Sequence, residues 1–218
     1  MIRLAIFDVD GTLVDSGATI HRALAASLDA HGHPCPPRAT TQKVIGLSLE
    51  RAIASLAPDA DHEAVVGSYK QAFADLRSAG DADERLFDGV AAMLEAMEED
   101  GWLLAIATGK SRRGVDHLVD LHGWQGRFVS IQTADTNASK PDPAMALAAM
   151  AATGADRART VFVGDTGWDM GCARAARIHP IGVAWGYHDA DDLRGAGAHY
   201  IAGAPAEVAP LARACVDG

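Results

Sequence analysis

The sequence predicts an open α/β fold, a parallel sheet with crossover helices that is interrupted once by a helical insertion. Three observations predict it. Short apolar runs at Leu4 to Phe7, Leu103 to Ala107, Phe128 to Ile131, Val161 to Val163 and Ile181 to Ala184 are mostly separated by segments of helical periodicity, the alternation that builds a parallel sheet. The runs are continuously apolar rather than alternating, which suits strands covered on both faces. The block that follows the first run carries helical spacing alone. A three-layer, Rossmann-like sandwich with an inserted α-helical cap accounts for all three.

Taken in order, the first run ends in Asp8-Val9-Asp10-Gly11-Thr12. In an extended segment residues i and i+2 point the same way, so both carboxylates can converge on one cation or one substrate atom. Burying like charges side by side is unfavourable unless a cation, a shared proton or water offsets the repulsion. Gly11 allows the sharp exit that a Cβ would resist. Next, Ile20, Ala23, Leu24 and Leu28 repeat at helical spacing, His33-Pro34-Cys35-Pro36-Pro37 breaks the pattern, and helical segments resume to about Arg77 with no strand evident. These boundaries divide the chain into a core of residues 1–16 and 87–218 and a helical cap of residues 17–86, joined by two linkers. Asp59, Asp61, Asp81, Asp83 and Glu84 are expected to be solvated loop acids.

The later runs end in further polar signals. Thr108-Gly109-Lys110 follows one, Ser139-Lys140-Pro141-Asp142-Pro143 precedes a helix, and Gly164-Asp165-Thr166-Gly167-Trp168-Asp169 follows Thr160 to Val163. Open parallel sheets bind ligands beyond the carboxyl ends of their strands, so these residues can share one crevice. Gly109-Lys110-Ser111 looks like the end of a nucleotide-binding loop, but Leu104 stands where that motif needs its first glycine.

Composition narrows the function. With 218 residues and 49% hydrophobic residues the chain can fill a large core. A formal charge of −10 and a pI near 5.2 argue against nucleic acid or an anionic membrane as a partner. Three cysteines, Cys35, Cys172 and Cys215, without close spacing predict no disulfide framework and a cytoplasmic location. The first apolar run is too short and too soon charged for a signal peptide. The expected assembly is a monomer or homodimer.

The order and placement of these segments resemble the haloacid dehalogenase-like hydrolase superfamily, whose four motifs look like Asp8 to Thr12, Thr108, Lys140 and Asp165 to Asp169. Val44 to Glu50, Ser139 to Pro143 and Val183 to His188 are similar to its phosphoglycolate phosphatase-like branch. The resemblance implies a magnesium-dependent phosphatase whose partner is a small phosphorylated metabolite, with phosphoglycolate the leading substrate. Asp8 would attack phosphorus and form an aspartyl phosphate, and Asp10 would act as general acid and then general base. Hard oxygen ligands favour Mg2+, held by the Asp8 carboxylate, the Asp10 backbone carbonyl and Asp165, with Asp169 beside it. Lys140 would face Asp8 and the phosphoryl oxygens, which Thr108 and the Gly11 and Gly109 backbones would also hold. Gly109 departs from the family, many of whose members carry asparagine there. In the cap, Gln42, Lys43, Ser48 and Arg51 are candidates to contact a small carboxylate-bearing leaving group. A phosphosugar mutase of the same superfamily and a phospho-accepting receiver domain are the alternatives.

Overall fold

Successive residues of the first apolar run enter two different cores. In the computed structural model, which describes residues 1–217, Ala5 and Phe7 pack with one hydrophobic cluster while Leu4 and Ile6 pack with another. The strand they form, β1 (Arg3–Phe7), is therefore covered on both faces, and that is why its hydrophobicity does not alternate. Burying each of Leu4, Ile6 and Phe7 contributes roughly 1.5–3 kcal/mol.

Five more strands complete the main sheet: β4 (Trp102–Thr108), β5 (Phe128–Thr133), β6 (Thr160–Gly164), β7 (His179–Val183) and β8 (Tyr200–Ala202). Their order is β5-β4-β1-β6-β7-β8, and every pairing is parallel. On one face lie α5 (Val90–Glu99), α6 (Arg112–His122) and α10 (Val208–Asp217); on the other lie α7 (Ala144–Thr153) and α8 (Gly167–Ala176). The α/β three-layer sandwich expected from the sequence is the fold of the chain. A ninth helix, α9 (Ala190–Ala196), packs against α8 and β7.

Between the first strand and the rest of the sheet run α1 (Gly17–Ala30), α2 (Arg38–Gln42), α3 (Leu49–Leu56) and α4 (His62–Ser78). They bury a cluster of their own, including Ile20, Leu24, Leu28, Ile53, Val65 and Phe73. The stretch read as free of strands needs a correction. Arg85–Leu86 forms β3 and pairs antiparallel with β2 (Val14–Asp15), so the two linkers are hydrogen-bonded side by side. Two-residue strands are too short to show a period, as is the edge strand β8. Among the described residues no helix is long and apolar enough to cross a membrane.

Candidate active site

Asp8, Thr108 and Asp165 stand at the carboxyl ends of three adjacent strands, β1, β4 and β6, where the order of a parallel sheet opens a crevice. Lys140 enters from the loop before α7, and its ammonium is completely buried between two carboxylates. Lys140 Nζ lies 2.9 Å from Asp8 Oδ2 and donates to Asp169 Oδ1 at 2.6 Å. A third contact is to the Ala107 carbonyl, at 3.3 Å. Thr166 caps α8 and holds Asp169 through a capping box, with its N–H and hydroxyl both donating to Asp169 Oδ2.

Asp165 is fixed as firmly. Its Oδ1 accepts from the Thr12 hydroxyl and its Oδ2 from the Tyr187 N–H, each at 2.9 Å. Asp8 differs from its neighbours. Lys140 meets it as an ion pair, and neither Asp8 oxygen has a hydrogen-bond partner among the described residues. Desolvation, only partly countered by Lys140 and reinforced by Asp169, pushes the Asp8 carboxyl up to about 7. Burial also pushes Asp165 well above the carboxylate range, with Asp169 and Asp8 adding to the shift. For Lys140, burial alone would lower the ammonium, but Asp169 and Asp8 outweigh it and hold it above its ordinary value.

These residues fit a hard divalent cation. One oxygen from each of Asp8, Asp165 and Asp169 lies within 4.8 Å of the others, and three buried carboxylates beside the one Lys140 ammonium are costly until a further cation offsets them. Both Asp169 oxygens are already engaged by Lys140 and Thr166, which suits a place beside the ion. The Asp10 side chain lies outside this acid cluster and accepts from the Ser16 hydroxyl instead.

A cavity of about 750 Å³ opens from Asp8, Asp10, Thr108 and Gly109 toward the cap. Gly11 adopts φ of 91°, and a Cβ there would sit 2.2 Å from Asp165 Oδ2, so both conformation and space require glycine. The departure at Gly109 has a physical cause. A Cβ at that position would lie 2.1 Å from the Leu47 carbonyl, so the cap loop occupies the room an asparagine side chain would need.

The cap residues predicted to meet the leaving group do not line this cavity. Lys43 and Arg51 are exposed; the Lys43 carbonyl accepts from Trp168 Nε1, and Arg51 reaches the Ser139 carbonyl at 3.4 Å. Ser48 uses its N–H on Ser139 Oγ. The cations that line it are Lys70, Arg77, Lys110 and Arg113. Glu84, expected in solvent, is buried and accepts a bidentate pair from Arg77 at 2.8 Å. No spacing in the sequence pairs Arg77 with Glu84, since the turn between them sets the contact. Lys110 stands two residues after Thr108, and that nearness was the available signal.

The family model described as haloacid dehalogenase-like hydrolase matches residues 5–183, a span that contains every strand-end residue above. The chain belongs to the haloacid dehalogenase-like hydrolase family. Other members resemble it over nearly their whole length. A Dickeya dadantii protein named "Probable phosphatase IndB" is 36% identical over 215 residues, covering 97% of this chain and 94% of that one. A Xanthomonas campestris pv. campestris protein named phosphoglycolate phosphatase is 33% identical over 194 residues, covering 87% and 86%. Among solved structures, a haloacid dehalogenase-like family hydrolase from Streptococcus pneumoniae superposes with a TM-score of 0.84 at 26% identity, covering 96% and 98%.

Proposed function

We propose that this hydrolase is a magnesium-dependent phosphatase that cleaves a small phosphate monoester through an aspartyl phosphate on Asp8. The observation that carries this is the Asp8 carboxylate itself, buried at a strand end, free of hydrogen bonds and 2.9 Å from the Lys140 ammonium at the floor of the cavity. Phosphoglycolate is the leading substrate, supported by the names of several relatives. The expected setting is the cytoplasm, in keeping with three free cysteines.

In the first half-reaction an Asp8 oxygen bonds to phosphorus as the ester P–O bond breaks, and Asp10 gives its proton to the departing oxygen. In the second, water bonds to phosphorus, the Asp8–phosphorus bond breaks, and the water proton passes to Asp10. Lys140 offsets the repulsion between an anionic nucleophile and an anionic substrate. Mg2+ held by Asp8 and Asp165, with Asp169 alongside, would neutralise phosphoryl charge. Thr108 and the Gly109 backbone stand at the cavity end where the phosphoryl oxygens would be held.

A phosphate-release assay over a panel of phosphometabolites, with and without Mg2+, tests the proposal. Free phosphate from phosphoglycolate that requires Mg2+ is the expected result and also separates a phosphatase from a mutase. Turnover that persists unchanged in chelator, or none on any ester, would contradict it.

A further inference from the structure

We propose that Lys110 is a positioning residue that fixes the orientation of the Asp10 carboxyl, and that it is itself held from the cap side by Glu84. This rests on Asp10 being the proton donor and acceptor. Lys110 Nζ pairs with Asp10 Oδ1 at 3.0 Å, and both side chains are about nine-tenths buried, at 9% and 10% exposure. The Ser16 hydroxyl donates to the same oxygen. Two partners on Oδ1 leave Oδ2 as the oxygen without one among the described residues, on a carboxyl that lines the cavity. A carboxyl turns easily about its last torsion. Anchoring one oxygen therefore decides where the other carries its proton.

Lys110 is in turn built into place. Its stem crosses Gly114 in the first turn of α6, where a Cβ would come within 2.7 Å of Lys110 Cγ. Its backbone N–H donates to Thr108 Oγ1 at 3.2 Å, so the backbone that carries the side chain is tethered to the strand that ends in the site. Toward the cap, Nζ lies 4.0 Å from Glu84 Oε1 and 5.2 Å from the centre of the Phe73 ring. Glu84 is pinned by Arg77 at the end of α4 and has His117 of α6 at 3.4 Å. One buried chain of charges thus runs from the cap, through the second linker, to the carboxyl that handles the proton.

Leaving-group dependence separates this role from a structural one, because an alkoxide needs a proton to depart whereas an acidic phenolate does not. The experiment measures kcat/KM for phosphoglycolate and for p-nitrophenyl phosphate with Lys110→Met, and with Lys110→Gln as a milder variant in case the first does not fold. For phosphoglycolate we expect a fall of roughly 10²-fold, the lower end for loss of a general acid, and for the aryl ester a fall of at most about threefold. Lys110→Arg should recover part of the difference. Inhibition by inorganic phosphate should be unchanged, since Lys110 faces Asp10 rather than the phosphoryl group. Equal losses on both esters, no loss on either, or weakened phosphate inhibition in step with lost kcat/KM would overturn the inference. If the wild type hydrolyses no ester of the panel, the phosphatase proposal itself fails.

Discussion

The two ends of the cavity are held together by opposite electrostatics. At the core end three buried carboxylates, Asp8, Asp165 and Asp169, face one buried ammonium, Lys140, so negative charge is in excess until a cation arrives. Toward the cap, Glu84 meets Arg77 and Lys110, and the adjoining wall is apolar, with Ile20, Leu24 and Phe73. On the proposed mechanism the first end would collect a cation and a phosphoryl group, and the second would enclose what is attached to it. That would put chemistry on rigid strand ends and selection on helices joined by two linkers.

The sharpest way to break this contrast is at the nucleophile. Asp8→Asn should abolish steady-state phosphate release, a loss of at least about 10⁴-fold, while the folded structure survives. Circular dichroism together with the release assay checks both halves. Retained wild-type turnover would show that the excess charge at the core end has another purpose.

Next in size is Lys140→Met, which leaves Asp8 and Asp169 buried without their shared cation. Breaking a buried pair from one side costs about 3–5 kcal/mol. Thermal unfolding in chelator should show that loss, and a melt no lower than the wild type would mean the acids are neutral in the folded state.

Gly109→Asn sharpens the contrast from the boundary between the two ends. Its side chain must displace the Leu47 carbonyl, and overpacking of this kind costs roughly 1–3 kcal/mol. We expect a smaller loss of stability than for Lys140→Met together with a raised KM.

Acid titration of the metal-free protein has a definite sign. Asp8 is raised from 3.8 to about 7 in the folded chain, so between those values the folded state keeps a proton that the unfolded state has released. Stability from this group falls as pH rises through the window, and the penalty is fully present above it. Metal-free Asp8→Asn should thus gain on the wild type from about pH 4 to pH 7 and hold its lead beyond, as urea melts in chelator would record. Saturating Mg2+ should reverse the order by stabilising the wild type alone. The smallest effects belong to Lys43→Ala and Arg51→Ala, both exposed and away from the cavity. Each should stay within about twofold in KM, since exposed long cations usually remain solvated.

Legibility in the sequence divides along the same line. Asp8, Thr108 and Asp165 were readable because each ends an apolar run, and a parallel sheet brings such ends together. Lys140 was legible as a lysine in a segment before a helix that could join the crevice, but its role came from the resemblance, since nothing local to it shows that its ammonium is buried beside Asp8. The cap was legible as helices from Ile20 to Leu28 onward. Its contacts were not, because Arg77 meets Glu84 through a turn whose shape no periodicity encodes, and Glu84 looks like its solvated neighbours Asp81 and Asp83 until the linker strands pair. Lys43 and Arg51 misled for a related reason. Charge identified them as possible anion contacts, but the loop between α2 and α3 turns the Lys43 carbonyl rather than its ammonium toward the core, and Arg51 in α3 spends its guanidinium on the Ser139 carbonyl.

The most direct test of the central claim is rapid acid quench of the Mg2+-loaded enzyme with phosphoglycolate, followed by peptide mass spectrometry. A single phosphoryl group on the peptide that carries Asp8, absent from Asp8→Asn, is the result expected. Hydrolysis at full rate with no phosphorylated peptide, or with the group on another residue, would contradict it.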